Sequence, residues 1–191
     1  MKKLMFIAAV ALAIGAQASS YTWKAATSYI YTAGDSATKL ASGTAYLFDA
    51  GTYSQSALLS AVLGGSDLAS IYSANGIATA PAGTVSAGQV SQSAAFTYNG
   101  VPADSTLTTY FAILSGDNLY ISSTKDVMAS ALETPVPIAF GSQKTASQAA
   151  IITTGSYSGA GWYAAAAVPE PTSGLLMLVG LGALALRRRR A

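Results

Sequence analysis

Two serines stand three positions ahead of a lysine, Ser36 before Lys39 and Ser122 before Lys125. That spacing can set a hydroxyl beside an amine able to take its proton, the arrangement of penicillin-recognising enzymes. The companion motifs are missing, since the chain's one Lys-Thr pair, Lys144-Thr145, is followed by Ala146 rather than glycine. With abundant serine and four lysines in the body, two chance matches are unsurprising. The chain has no histidine and no cysteine, which removes the usual general base, the usual metal ligands and the thiol nucleophile together. No cofactor or metal is expected. The body carboxylates Asp35, Asp49, Asp67, Asp104, Asp117, Asp126 and Glu133 do not converge in sequence as a glycosidase pair would suggest. Asp35, Asp104 and Asp117 sit in turn contexts, where a side chain that bonds its own backbone is the ordinary reading. A calcium loop at Asp117-Asn118 lacks the spaced ligands it would need.

Eleven tyrosines and two tryptophans are the remaining feature with functional promise, because exposed aromatic rings stack on sugars. In "YTWKAATSYIY", Tyr21, Trp23, Tyr29 and Tyr31 alternate onto one side. A single aromatic face is more often core than platform, so Trp23 is expected inside.

The elements needed to position these groups are mainly strands. Residues 21–31 read as a first strand and Thr44–Ala50 as a second that could fold back on it as a hairpin. Thr52–Leu63 changes to a helical period, with Ala57, Leu58, Ala61 and Val62 on one side, Ser54 as N-cap and Gly64-Gly65 as the stop. A weaker helical or turn segment follows at Asp67–Ser73, then a loop rich in glycine and proline through "NGIATAPAGTVSAGQ". Gln92–Asn99 returns to strand composition. Thr106–Leu114 and Leu119–Ser123 flank Ser115-Gly116-Asp117-Asn118 as the clearest hairpin. Leu107, Phe111 and Ile113 share one side of its first arm, and Leu119 and Ile121 one side of its second. Pro135–Phe140, Ala149–Thr154 and Gly161–Ala167 are further strand candidates. The predicted fold is mainly β, an antiparallel sandwich or strongly twisted sheet with one short α-helical insertion.

The two ends are of another kind. Lys2 and Lys3 precede an apolar run from Leu4 to Ile14, and Ala16-Gln17-Ala18 supplies the small residues that signal peptidase requires. Residues 1–18 thus read as a signal peptide cut after Ala18, and residues 19–167 as an exported body. That body holds four lysines against seven carboxylates, a net −3. Such a balance lacks the clustered cations of nucleic-acid binding. Nucleic acid is not an expected partner.

Residues 168–191 close the chain in three parts. Val168-Pro169-Glu170-Pro171 cannot continue a helix and must run extended. Gly174–Leu186 is thirteen residues without a polar side chain, about 20 Å of helix against a hydrocarbon core of about 30 Å. Thr172 and Ser173, local thinning and snorkelling arginine stems can close most of that gap. Arg187, Arg188, Arg189 and Arg190 hold their end in the cytoplasm, which leaves the body outside. Pro-Glu-Pro, a short apolar helix and a terminal arginine cluster together resemble the PEP-CTERM sorting signal. The resemblance implies recognition and cleavage by exosortase, a membrane-embedded cysteine transpeptidase-like enzyme of exopolysaccharide-producing bacteria with a Gram-negative type of envelope. It covers only about the last 25 residues and is an address.

For the body, two functions follow. One is a non-enzymatic envelope or matrix protein within exopolysaccharide, and the other is a carbohydrate-binding module. A module would expose at least two rings, coplanar or in a groove, whereas a matrix protein would keep most of them buried.

Overall fold

The computed structural model describes residues 19–25, 29–77, 80–98, 105–129, 135–141 and 152–164. The expected signal helix and cleavage residues Ala16 and Ala18, the membrane helix, Pro169, Glu170, Pro171 and Arg187 to Arg190 lie outside them, as do Asp104, Glu133 and Lys144. Among the described residues no helix is long and apolar enough to cross a membrane.

Among the described residues ten strands form one sheet. They are β1 (Ser19–Ala25), β2 (Ser42–Asp49), β3 (Gly83–Ser86), β4 (Gln89–Tyr98), β5 (Thr106–Ser115), β6 (Asn118–Ile121), β7 (Lys125–Met128), β8 (Val136–Ala139), β9 (Ile152–Thr153) and β10 (Gly161–Ala164). Their order is β8-β1-β4-β3-β2-β5-β6-β10-β9, and β7 pairs with β5 off that path. The outer half of β5, Ala112 to Ser115, pairs with β6, while its inner half, Thr106 to Thr109, pairs with β7. β7 in turn approaches β8, the far edge of the sheet. The sheet therefore curls back on itself between β7 and β8, and one continuous sheet stands in place of the two-sheet sandwich. Most pairs are antiparallel, but β1 and β8 run parallel, as do β9 and β10.

Alternation along the strands feeds two cores. The inside of the curl takes Tyr21, Trp23 and Ala25 from β1, Ala45 and Leu47 from β2, Leu107, Phe111 and Ile113 from β5, and Trp162 from β10. The outer face of β2, β5, β6 and β10 presents Phe48, Tyr110, Ala112, Leu119, Ile121 and Tyr163. That second apolar face must also leave water, and two helices cover it. Here α1 (Gln55–Leu63) and α2 (Leu68–Asn75) contribute Leu58, Leu59, Leu68 and Ile71. The one short helical insertion expected is thus a helical pair, whose second member falls on the weaker helical or turn segment read at Asp67–Ser73.

The helix ends follow from their sequences. Ser54 Oγ accepts from Ala57 N at 3.2 Å and starts α1. Ser66 N donates to Ala61 O and Gly65 N to Val62 O, the paired bonds of a Schellman stop. Asp67 then caps α2 through Ser70 N at 2.8 Å and Ser70 Oγ at 3.0 Å, and these bonds hold its carboxyl below the usual carboxylate range.

Three sequence expectations are corrected here. The first strand ends at Ala25, and Ile30 rather than Tyr29 turns inward, so the face predicted to carry four aromatics carries Tyr21 and Trp23. Tyr31 instead forms an isolated bridge with Lys39. β2 pairs with β3 and β5 rather than folding back on β1. β3 lies within the stretch predicted as loop, and β7 was not anticipated at all.

The β3–β4 connection is a two-residue turn, Ala87-Gly88, with both φ angles positive at 48° and 79°. That combination is a type I′ turn, whose twist suits the flanking strands. The β5–β6 turn, Gly116-Asp117, places glycine with φ 57° at its first position, as type II′ requires.

Candidate functional site

The serine–lysine pairs do not form dyads. Ser122 is fully buried at the end of β6, where its Oγ accepts from Phe111 N and donates to Ser123 O, each at 2.9 Å. Lys125 is exposed on β7, and its backbone carbonyl takes the Thr109 hydroxyl at 3.2 Å. Ser122 is therefore a clasp between two strands. Ser36 lies in an exposed turn built by Asp35, whose Oδ1 accepts from Ala37 N at 2.8 Å and Thr38 N at 3.3 Å. Bonding to the Thr38 side chain and the Ala37 N–H lowers the Asp35 carboxyl below its ordinary range. Lys39 points elsewhere, with its Nζ 3.3 Å from the centroid of the Tyr29 ring.

Asp35, Asp49, Asp67 and Asp126 are spent on structure. Asp126 accepts from Thr108 Oγ1 at 2.7 Å across β5 and β7. Asp49 is the one buried carboxylate among the described residues. It closes the turn after β2 by accepting from Gly51 N at 2.8 Å and Thr52 Oγ1 at 2.9 Å, and it takes the Tyr98 hydroxyl at 2.8 Å. Tyr98 thereby crosses from β4 to β2 beyond the end of short β3. Burial and this bond to Asp49 raise the Tyr98 phenol. Sequence reading missed this strut. Its local half was visible in Asp49-Ala50-Gly51-Thr52, a strand end with turn chemistry, but nothing local announces a tyrosine 49 positions on. Among the described residues no group of three His, Cys, Asp or Glu side chains could hold a metal ion.

The aromatics answer the question put to them. Trp23 is buried against Phe111 and Phe140, with ring centroids at 6.0 and 6.4 Å, and its Nε1 donates to Pro81 O at 3.0 Å. Trp162 is also buried and donates to Tyr31 O at 2.7 Å. Phe48 stacks on Tyr110 at 5.3 Å beneath the helices, with Tyr53 and Tyr72 at its rim. Burial raises the phenols of Tyr110 and Tyr120, and pushes those of Tyr72 and Tyr157 up to about 12. Tyr72 OH donates toward the carbonyls of Ile77 and Ala80, which fastens α2 to the segment leading into β3. Among tyrosine and tryptophan only Tyr29 is exposed, at 41%, and Lys39 covers its ring. No exposed coplanar pair exists among the described residues.

The sorting segment begins where the described body stops. Trp162 and Tyr163 of β10 enter the inner and the outer core respectively, and Ala164, the last residue of that strand, pairs with Asn118. A family model, the PEP-CTERM protein-sorting motif, matches residues 167–190. The C-terminus is thus a PEP-CTERM sorting signal, which directs the protein toward the cell envelope and exterior and makes exosortase its processing partner. No curated protein and no solved structure is significantly similar to the chain.

Proposed function

We propose that the body is a non-enzymatic envelope or matrix protein, delivered by exosortase processing and acting by its presence within exopolysaccharide. The sorting motif carries this reading. Several side chains that could have argued for chemistry or for a sugar platform support it, because they have a structural use. Ser122 clasps two strands, Asp49 braces a turn, and Trp23 and Trp162 fill the inner core. In this reading the residues that act are Pro169, Glu170 and Pro171 as the recognised motif and Arg187 to Arg190 as the cytoplasmic anchor, with signal peptidase cutting after Ala18. The precursor is held in the membrane through its C-terminal helix until it is processed.

The test is to replace Arg187 to Arg190 with glutamate in the producing cell. Acidic residues lose the orientation that the cluster supplies, so uncut precursor should accumulate. Processing at the normal rate would defeat the orientation argument. The carbohydrate-binding alternative predicts that the mature body is retained on the cell's own exopolysaccharide and that Tyr29→Ala releases it.

A further inference from the structure

The number of residues between the body and the motif limits where the body can sit, and this inference rests on the sorting reading above. β10 ends at Ala164, with Trp162 and Tyr163 locked in the two cores. Pro169 lies five residues later and Thr172, the earliest start of the apolar helix, eight residues later, and eight residues span at most about 29 Å in any conformation. The end of β10 therefore stays within that distance of the membrane that holds the tail, and it is the part of the body nearest to it.

The register identifies the end that faces it. Ala164 pairs with Asn118, the last residue of the β5–β6 turn, and Ser115 pairs with Asn118 across that turn. On β2, Ala45 pairs with Ile113, and Ser42 pairs with Ser86 beside the Ala87-Gly88 turn. Segment 29–41 closes this same end, since Gly88 N donates to Leu40 O, Ile30 N to Gly88 O, and Trp162 Nε1 to Tyr31 O.

A second observation concerns exposed apolar side chains. Four large ones stand out among the described residues: Tyr29, Leu114, Ile152 and Met128. Three of them belong to this end. Leu114 adjoins the β5–β6 turn, Tyr29 lies in the closing segment under Lys39, and Ile152 Cδ1 is 3.5 Å from the position of a Cβ on Gly34 in the same segment. A tyrosine beside a lysine, with two exposed aliphatic side chains and polar turns at the same end, suits the headgroup layer, where amphipathic rings and cationic heads settle. We infer that the end of the sheet carrying Tyr29, Lys39, Leu114 and Ile152 rests on the lipid headgroup surface while the precursor awaits cleavage.

The lack of cysteine makes the test direct. Single-cysteine full chains, Asp117→Cys at the β5–β6 turn and Met128→Cys opposite Thr106 at the other end of β5, are labelled with a fluorophore. The two sites are about 30 Å apart along β5. Both chains are placed in vesicles containing headgroup-quencher lipid. Quenching should be several-fold greater at position 117, and ten glycine and serine residues inserted after Ala166 together with Tyr29→Ser and Leu114→Ser should abolish the difference. Equal quenching at both sites, or a difference that survives those changes, overturns the inference. A chain that does not float with the vesicles removes the membrane-anchored sorting reading as well, whereas a floating chain with equal quenching removes this inference alone.

Discussion

Trp23 shows how much stability one side chain carries in a body without disulfides. Its indole packs on Phe111 and Phe140 and rests on Gly83, where a Cβ would meet the ring at 2.8 Å and Val90 Cγ1 at 2.6 Å. Trp23→Ala should cost about 3–5 kcal/mol through lost burial and the cavity left behind, a large share of a typical domain's roughly 5–15 kcal/mol. Gly83→Ala pushes into the same contact and should cost about 1–3 kcal/mol by overpacking. Thermal unfolding of the mature body checks both, and a Trp23→Ala protein that melts unchanged would contradict the core assignment. The tyrosines give a pH dependence. Tyr72 and Tyr157, at about 12 in the folded protein, titrate near 10 once unfolded. Above about pH 10 the unfolded chain has lost protons that the folded one keeps, so stability is complete below that pH and falls as pH rises toward 12. Tyrosinate absorbance during alkaline titration should therefore show a late group that appears together with loss of structure. A single transition near pH 10 with the fold intact would refute it.

At the level of elements, the turns hold the most useful irregularity. Ala87 occupies the left-handed region at φ 48°, which costs an L-residue roughly 1–2 kcal/mol and which asparagine tolerates better. Ala87→Asn should stabilise the body by about 0.5–1 kcal/mol, read as a rise in melting temperature; a lower melting temperature would show that Ala87 makes contacts worth more than the strain. The same elements explain what the sequence disclosed. The β5–β6 hairpin was legible because Leu107, Phe111 and Ile113 alternate cleanly up to a turn that opens with Gly116. α1 was legible because Ser54 caps it and a Gly-Gly pair stops it. β3 and β7 were not, because each buries a single large apolar side chain, Val85 in one and Val127 in the other. A four-residue strand with one inward residue has no measurable period. The partner of β2 was misjudged because adjacency in sequence favours pairing with β1, whereas β3, formed from residues far downstream, takes that place. Of the candidate site, the sorting motif was fully legible because its parts are contiguous. The Asp49–Tyr98 strut was hidden because only the folded sheet brings its halves together.

Over the whole molecule, the proposed reading makes both ends addresses and leaves the middle as the product. Mature protein recovered from the medium or matrix should have a mass that lacks both residues 1–18 and the arginine cluster, and a mass retaining Arg187 to Arg190 would contradict release by exosortase. The parallel pairing of β1 with β8 bears on the journey itself. Tyr21 can find Val136 only after most of the chain has crossed the membrane, so the segment that emerges first stays half-paired until one of the last arrives. Contacts this distant slow folding. An exported polypeptide whose first strand is flanked by one of its last therefore keeps that edge of the sheet unfinished until most of the chain has arrived on the far side.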